Sequence, residues 1–422
     1  MKSKNLLHDI GKNYEAGSYT PCFFITKIST HKIKYHDFDE NEKATHLHEY
    51  IHFIQDISTY YGILSILTKL SNICLNFHDL SKNKTNIKKE FENNIEFTCC
   101  LEETLGEIPD NEDDISSYQI NDIKYGENSY PSIDKKTVYY EIVLVDDQYE
   151  KEQRIKFGAI FILEGMAYII EKCAYSSQNL PLLRYNIARN IVKYVLKNDI
   201  SDSDFINICD ASLQSQNPGL TFFNILNTIK NYPSIDDAIN SFTLTEKKYP
   251  IWKAPNLLRS DNIFENILSN IGNSHYRQDI KTYIEKMIDS ALIYRDKNPF
   301  LFKNLSIEIK NHTTSLREMY NNFGTPNIFN IDNVFLGSIP ISTENHTGLT
   351  KMILICSFLE KINNKYRKTF KCPLYETCLR MNTCPNIFDE YICENDFRKL
   401  ENTGEMCIAY ALAQNMGLLN II

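Results

Sequence analysis

The chain has no run of about 18 uninterrupted apolar residues, so it is expected to have no transmembrane helix and no membrane partner. Its opening residues, Met1 to Asp9, carry charge but no apolar segment of the kind a secretory signal needs, which makes a cytoplasmic location the expectation. Positive charge is in deficit: 45 Lys and Arg stand against 54 Asp and Glu, a net charge of −9. Nucleic acid is therefore not expected as a partner, because phosphate binding needs a basic face. The local basic stretch from Lys365 to Lys371 reads as a solvated surface. None of the twelve cysteines forms a C-x2-C pair, and no internal repeat of fixed period is present. Without an export signal the cysteines read as reduced thiols or metal ligands rather than a disulfide framework.

What is present suits a folded enzyme-sized chain. Its 422 residues are 43% hydrophobic and 12% aromatic, enough for a sizeable core and against a disordered chain. Strands are expected over Cys22–Ile28 and Lys32–Tyr35, with a turn at Ser29 to His31. Acidic residues Asp37, Asp39, Glu40 and Glu42 then mark a helix start, and a long helix is expected over about 41–77, bent at Gly62. Its apolar side carries Leu47, Ile51, Ile54, Tyr61 and Leu64. Residues of about 80–135 are polar and read as a surface insertion with a few short elements. Thr137–Val145 is a strand, and an apolar helix covers about 157–175. Beyond Pro181 the pattern is helical: a helix through about 197, another opened by Ser201 and closed by Asn217-Pro-Gly219, and more near 219–230, 260–271, 276–295 and 348–367. The expected fold class is α+β, mainly helical, with a small antiparallel sheet beside the first long helix. The expected division is a core over residues 1–180 holding the insertion, a helical domain over 181–370 and a cysteine-rich cap over 371–422.

The first long helix contains His48-Glu49-Tyr50-Ile51-His52. Histidines four residues apart leave one helical face about 6 Å from each other, so both can reach one metal ion. Zinc takes imidazole nitrogens at about 2.0–2.1 Å and wants four partners. Glu49, one step around the helix, stands near the metal without binding it and can take a proton from a zinc-held water. A third protein ligand is needed. Glu164 lies in Phe157-Gly-Ala-Ile-Phe-Ile-Leu-Glu164-Gly-Met-Ala-Tyr-Ile-Ile-Glu171, which is apolar on nearly every side. A lone carboxylate there costs several kcal/mol unless it is paired or metal-bound. Glu171, nearly two turns on, shares its face and reads either as a rival third ligand or as a support behind the ligands. Cys22 is a rival third ligand. His46 points elsewhere on the helix and reads as solvent-facing or as support to the site. Asp56 reads either as an orienter of a ligand histidine or as an ordinary polar helix residue.

His48-Glu-Tyr-Ile-His52 followed by Glu164-Gly-Met-Ala resembles the gluzincins, zinc peptidases whose two HExxH histidines and a glutamate of a later helix bind the metal. Asp56, four residues after His52, matches the form seen in thermolysin-like members. The resemblance implies one catalytic zinc, peptide hydrolysis with Glu49 as general base, and a peptide or protein substrate pairing with the edge of the upstream sheet. It covers only about residues 20–60 and 157–175. The 111 residues between His52 and Glu164 are more than the family usually shows, and Tyr168 stands where thermolysin-like members carry an Asp. The chain is thus not a close thermolysin relative and looks more like standalone bacterial HExxH proteins. His275, Tyr175 and His346 are candidates to hold the oxyanion.

In the tail, Cys372, Cys378, Cys384 and Cys393 are spaced x5, x5 and x8. Three readings stay open: a structural zinc on four thiols, an iron–sulfur cluster, or reduced cysteines packed in a compact cap. Two other functions compete with the peptidase reading. One is a non-catalytic regulatory or interaction protein stabilised by its metal, with a partner on the helical region. The other is a zinc hydrolase of a non-peptide amide.

Overall fold

The computed structural model describes residues 16–20, 24–69, 104–109, 118–130, 135–146, 152–175, 183–245, 274–332 and 335–337. The class is α+β and mainly helical. The helices expected near 260–271 and 348–367, the tail cysteines Cys372, Cys378, Cys384 and Cys393, and also Cys22 and His346, lie outside the described residues.

The first sheet differs from expectation in its strands and in its pairing. β1 (Gly17–Thr20) and β2 (Ile25–Ile28) run antiparallel, with Gly17 opposite Ile28. Residues Lys32–Tyr35 are not a strand. The Lys32 N–H donates to the Thr30 hydroxyl at 3.0 Å, and a short 3₁₀ turn follows at Tyr35–Asp37. β6 (Asn327–Asn330), from late in the chain, pairs parallel with β2, and β7 (Phe335–Gly337) pairs antiparallel with β6. The sheet is thus mixed, in the order β1-β2-β6-β7, with β1 at one edge among the described residues. The second sheet is fully antiparallel, β3 (Tyr118–Tyr130), β4 (Lys135–Asp146) and β5 (Glu152–Phe157). The stretch expected as a polar insertion therefore contributes a 13-residue strand. Gln119, Asn121, Asp122 and Lys124 are exposed while Tyr118, Ile120 and Ile123 pack on the core, an alternation that shifts at an irregularity between Ile120 and Asp122.

Helix α1 (Glu40–Ser58) opens on a capping box: the Asp39 carboxylate accepts from the Glu42 N–H, and the Glu42 carboxylate accepts from the Asp39 N–H. Lys32 donates to both carboxylates, at 3.2 and 2.6 Å. From His46 to Ser58 nearly every residue is buried, so α1 runs through the core rather than over it. The long helix expected over 41–77 breaks at Thr59, whose backbone is extended (φ −114°, ψ 153°), and helical backbone resumes over 60–69. The Thr59 hydroxyl makes the break possible. It donates to the Gln55 carbonyl at 2.8 Å and accepts from the Gly62 N–H at 3.0 Å, closing one helix end and opening the next. Gly62 is the residue the turn requires: a Cβ there would stand 2.5 Å from Asp56 Cα and from the Gln55 carbonyl oxygen.

β5 leads through Gly158 into α2 (Ala159–Ala174). A Cβ on Gly158 would meet backbone of residues 104–106 at 2.5 Å, so the start of α2 is set by direct backbone contact. Around α2 pack α3 (Leu183–Leu196), α4 (Asp202–Leu213) and α5 (Pro218–Ile229). Asn217-Pro-Gly219 opens α5 rather than closing α4: the Asn217 side chain accepts from the Leu220 N–H at 3.1 Å, and Pro218 sits at the first helical position. α6 (Ile235–Thr245), α7 (Ser274–Lys297), α8 (Leu301–Lys310) and α9 (Leu316–Phe323) complete the described helices. One buried ion pair ties this region together: Arg295 of α7 donates to both carboxylate oxygens of Asp210 in α4, at 3.0 and 2.8 Å.

Candidate metal centre

α1 and α2 lie against each other, and the sequence of each aims its polar groups at the seam. His48 and His52 leave one face of α1, and Glu164 leaves α2 towards them. His48 Nε2 lies 3.1 Å from His52 Nε2 and 3.3 Å from Glu164 Oε2, and His52 Nε2 lies 3.6 Å from Glu164 Oε1. The three side chains are 8–15% exposed. Ligand atoms from all three come within 4.8 Å of one another, so the group can hold a metal ion. Two nitrogens each about 2.05 Å from a tetrahedral ion sit about 3.3 Å apart, close to the spacing here.

The other nitrogen of each ring is already engaged. His48 Nδ1 meets Glu171 Oε2 at 3.1 Å, on the side of the ring away from Glu164. His52 Nδ1 meets Gln55 Oε1 at 2.8 Å. The place at His52 Nδ1 considered for Asp56 is thus held by Gln55, three residues on along the helix. Asp56 is itself buried, which lifts its carboxyl to about 6 against the opposing pull of Lys69, the Tyr19 hydroxyl and His52.

With both Nδ1 protons directed outward, the two Nε2 lone pairs and the Glu164 carboxylate converge as acceptors. A cation satisfies such a group. Without metal, protons fill that role. Burial pulls the imidazoles towards neutrality, and the Glu164 carboxylate overcomes it. Glu171 and Glu49 add to it at His48, which is held at about 10, and His52 is raised as well. Burial works against the Glu164 charge too, yet the two histidines hold its carboxyl well below the usual range. The donor set, two imidazoles and one carboxylate with hydrogen-bonded backs, fits zinc.

Glu49 is buried beside this group without belonging to it. It touches β1: a Cβ on Gly17 would lie 3.1 Å from Glu49 Oε1 and 2.6 Å from Thr45 Cγ2, so only glycine lets the strand come this close. Tyr185, which the sequence did not single out, also reaches the site. Its ring meets His48 edge-on at 5.6 Å and stacks on Tyr168 at 5.0 Å. Burial and the carboxylates of Glu164, Glu49 and Glu171 keep its phenol protonated. Nothing in the spacing marks it; only its place in the first turn of the helix after α2 does.

The remaining candidates fall elsewhere. His46 is buried, not solvent-facing: its Nε2 meets the Tyr320 hydroxyl at 2.5 Å, and burial pushes it down to about 4. Tyr175 caps the end of α2 and hydrogen-bonds Tyr35, near Tyr320. The side chain of His275 lies outside the described residues. No helix among the described residues is long and apolar enough to cross a membrane. No family model, curated protein or solved structure matches the chain, so the reading of this centre rests on its geometry and chemistry.

Proposed function

We propose that this protein is a zinc-dependent peptidase of the gluzincin type, with His48, His52 and Glu164 as the metal ligands and Glu49 as the general base. The observation that carries the reading is the convergence of three acceptor side chains from two helices, with a fourth, non-ligating carboxylate one residue from the first histidine. Zinc bound there supplies a Lewis acid for a carbonyl and a water acidic enough to ionise near neutral pH. Glu49 accepts a proton from that water and passes it to the departing amine. The Tyr185 hydroxyl, which makes no hydrogen bond to any described residue, donates to the carbonyl oxygen as charge gathers on it.

A peptide substrate is favoured by the edge strand. The Ser29 N–H donates to the Ala16 carbonyl at 2.8 Å, and the antiparallel ladder alternates, so the N–H and C=O of Gly17 point away from β2. An extended peptide laid along β1 there passes beside Glu49. The test is zinc-loaded Glu49→Gln measured against a peptide library. The expected result is full zinc content with hydrolysis lowered about 10²–10⁴-fold, the range for loss of a general base. Unchanged cleavage would refute Glu49 as the general base; zinc binding with no cleavage of any peptide by the wild type would refute the peptidase reading and favour a regulatory role for the metal.

A further inference from the structure

Gln55 is fully buried, carries no charge, and makes a hydrogen bond with each end of its amide. Its Nε2 donates to the Leu163 carbonyl of α2 at 3.0 Å. A peptide carbonyl can only accept, so the NH₂ of the amide must face Leu163. That leaves Oε1 facing His52 Nδ1 at 2.8 Å, and an amide oxygen can only accept. His52 must therefore carry its proton on Nδ1 and keep the lone pair of Nε2 for the metal seam. Leu163 is the residue before Glu164. One side chain thus fixes the ring of one ligand and grips the peptide that carries another, across the two helices.

We propose that Gln55 is a positioning residue of the metal centre: it sets the tautomer of His52 and locks the spacing of His52 to Glu164 through the Leu163 carbonyl. The two histidines are then supported unequally, His48 by the Glu171 carboxylate and His52 by a neutral amide. A carboxylate at 55 would still accept from His52 but would turn its second oxygen on the Leu163 carbonyl, acceptor against acceptor. The amide is the side chain that meets both demands.

This proposal rests on the metal-binding reading of the site, and the experiment separates the two. Zinc affinity of the full chain is measured by chelator competition for wild type, Gln55→Leu and Gln55→Glu. The tautomer of His52 in the zinc-loaded wild type is read from ¹⁵N-edited NMR, and melting of each metal-free protein monitors the fold. The expected results are His52 protonated on Nδ1, zinc bound about 10–100-fold more weakly by Gln55→Leu, and an intermediate loss in Gln55→Glu, which restores only the His52 bond. A folded Gln55→Leu that binds zinc as tightly as wild type overturns the role of Gln55 and leaves the metal reading standing. So does His52 coordinated through Nδ1 in the wild type, which holds even if the leucine variant does not fold. Wild type that binds no zinc overturns both.

Discussion

On the proposed reading, zinc must displace protons to enter this site, and the raised His48 and His52 set the number expected. Without metal, His48 is held at about 10, so at pH 7 it is almost wholly the imidazolium, donating from Nδ1 to Glu171 and from Nε2 to Glu164. A metal-ligating imidazole is neutral, so each zinc bound at pH 7 releases the His48 proton. His52, raised by Glu164, contributes up to a second. Apparent affinity then climbs about tenfold per pH unit for each proton displaced, from about pH 6 to about pH 9, and levels off as pH passes the folded value of His48. The assay is titration calorimetry at pH 7 in several buffers of different ionisation enthalpy, which counts protons directly. One to two protons per zinc are expected. A count of zero would refute the reasoning, because it would mean that Glu164, Glu171 and Glu49 do not hold positive charge between them. The same shift acts on the metal-free fold. A histidine raised above its unfolded value stabilises fully below about 6.5 and loses that contribution as pH rises through about 10. Metal-free protein should therefore weaken over that window while zinc-loaded protein does not.

Four other perturbations follow from the packing. Gly62→Ala forces a Cβ onto the backbone of α1 and should cost at least about 2 kcal/mol in urea unfolding, since backbone cannot step aside as a side chain would. Arg295→Met leaves Asp210 buried without its partner and should cost about 3–5 kcal/mol, and changing Asp210 to Leu in the same chain should return most of it. Asp39→Ala removes the cap of α1 and should cost about 1 kcal/mol by the same measure. His46, pushed down to about 4, stays neutral in the fold while the unfolded chain takes up its proton below about 6.5. Stability should therefore fall with pH between about 6.5 and 4, by up to about 3 kcal/mol, and a His46→Gln variant should show a flatter profile there.

What could be read in advance was whatever a single helix decides. The pairing of His48 with His52 is a matter of helical period, and Glu164 stood out because a carboxylate in so apolar a helix must have a partner. The capped start of α1 was equally local. What could not be read depended on a second element. Gln55 looks like any polar residue on an amphipathic helix until α2 brings the Leu163 carbonyl to it. His46 looks exposed until Tyr320, 274 residues later, covers it. The break at Thr59 needs a hydroxyl used twice, and Ser58-Thr59 inside an apolar run gives no sign of it. The parallel pairing of β2 with β6 leaves no trace in either strand.

That pairing has a consequence during synthesis. Ile25 and its partner Asn327 are about 300 residues apart, so at about 5–20 residues per second β2 leaves the ribosome roughly 15–60 seconds before the strand that will lie beside it. α1 and both histidines are made early, Glu164 somewhat later, and the sheet beside them closes last. A nascent chain thus carries the whole metal-binding set while the edge of β2 that will pair with β6 is still open. Zinc reaching the half-made protein could staple α1 to α2 first and leave the sheet to assemble on a core already fixed.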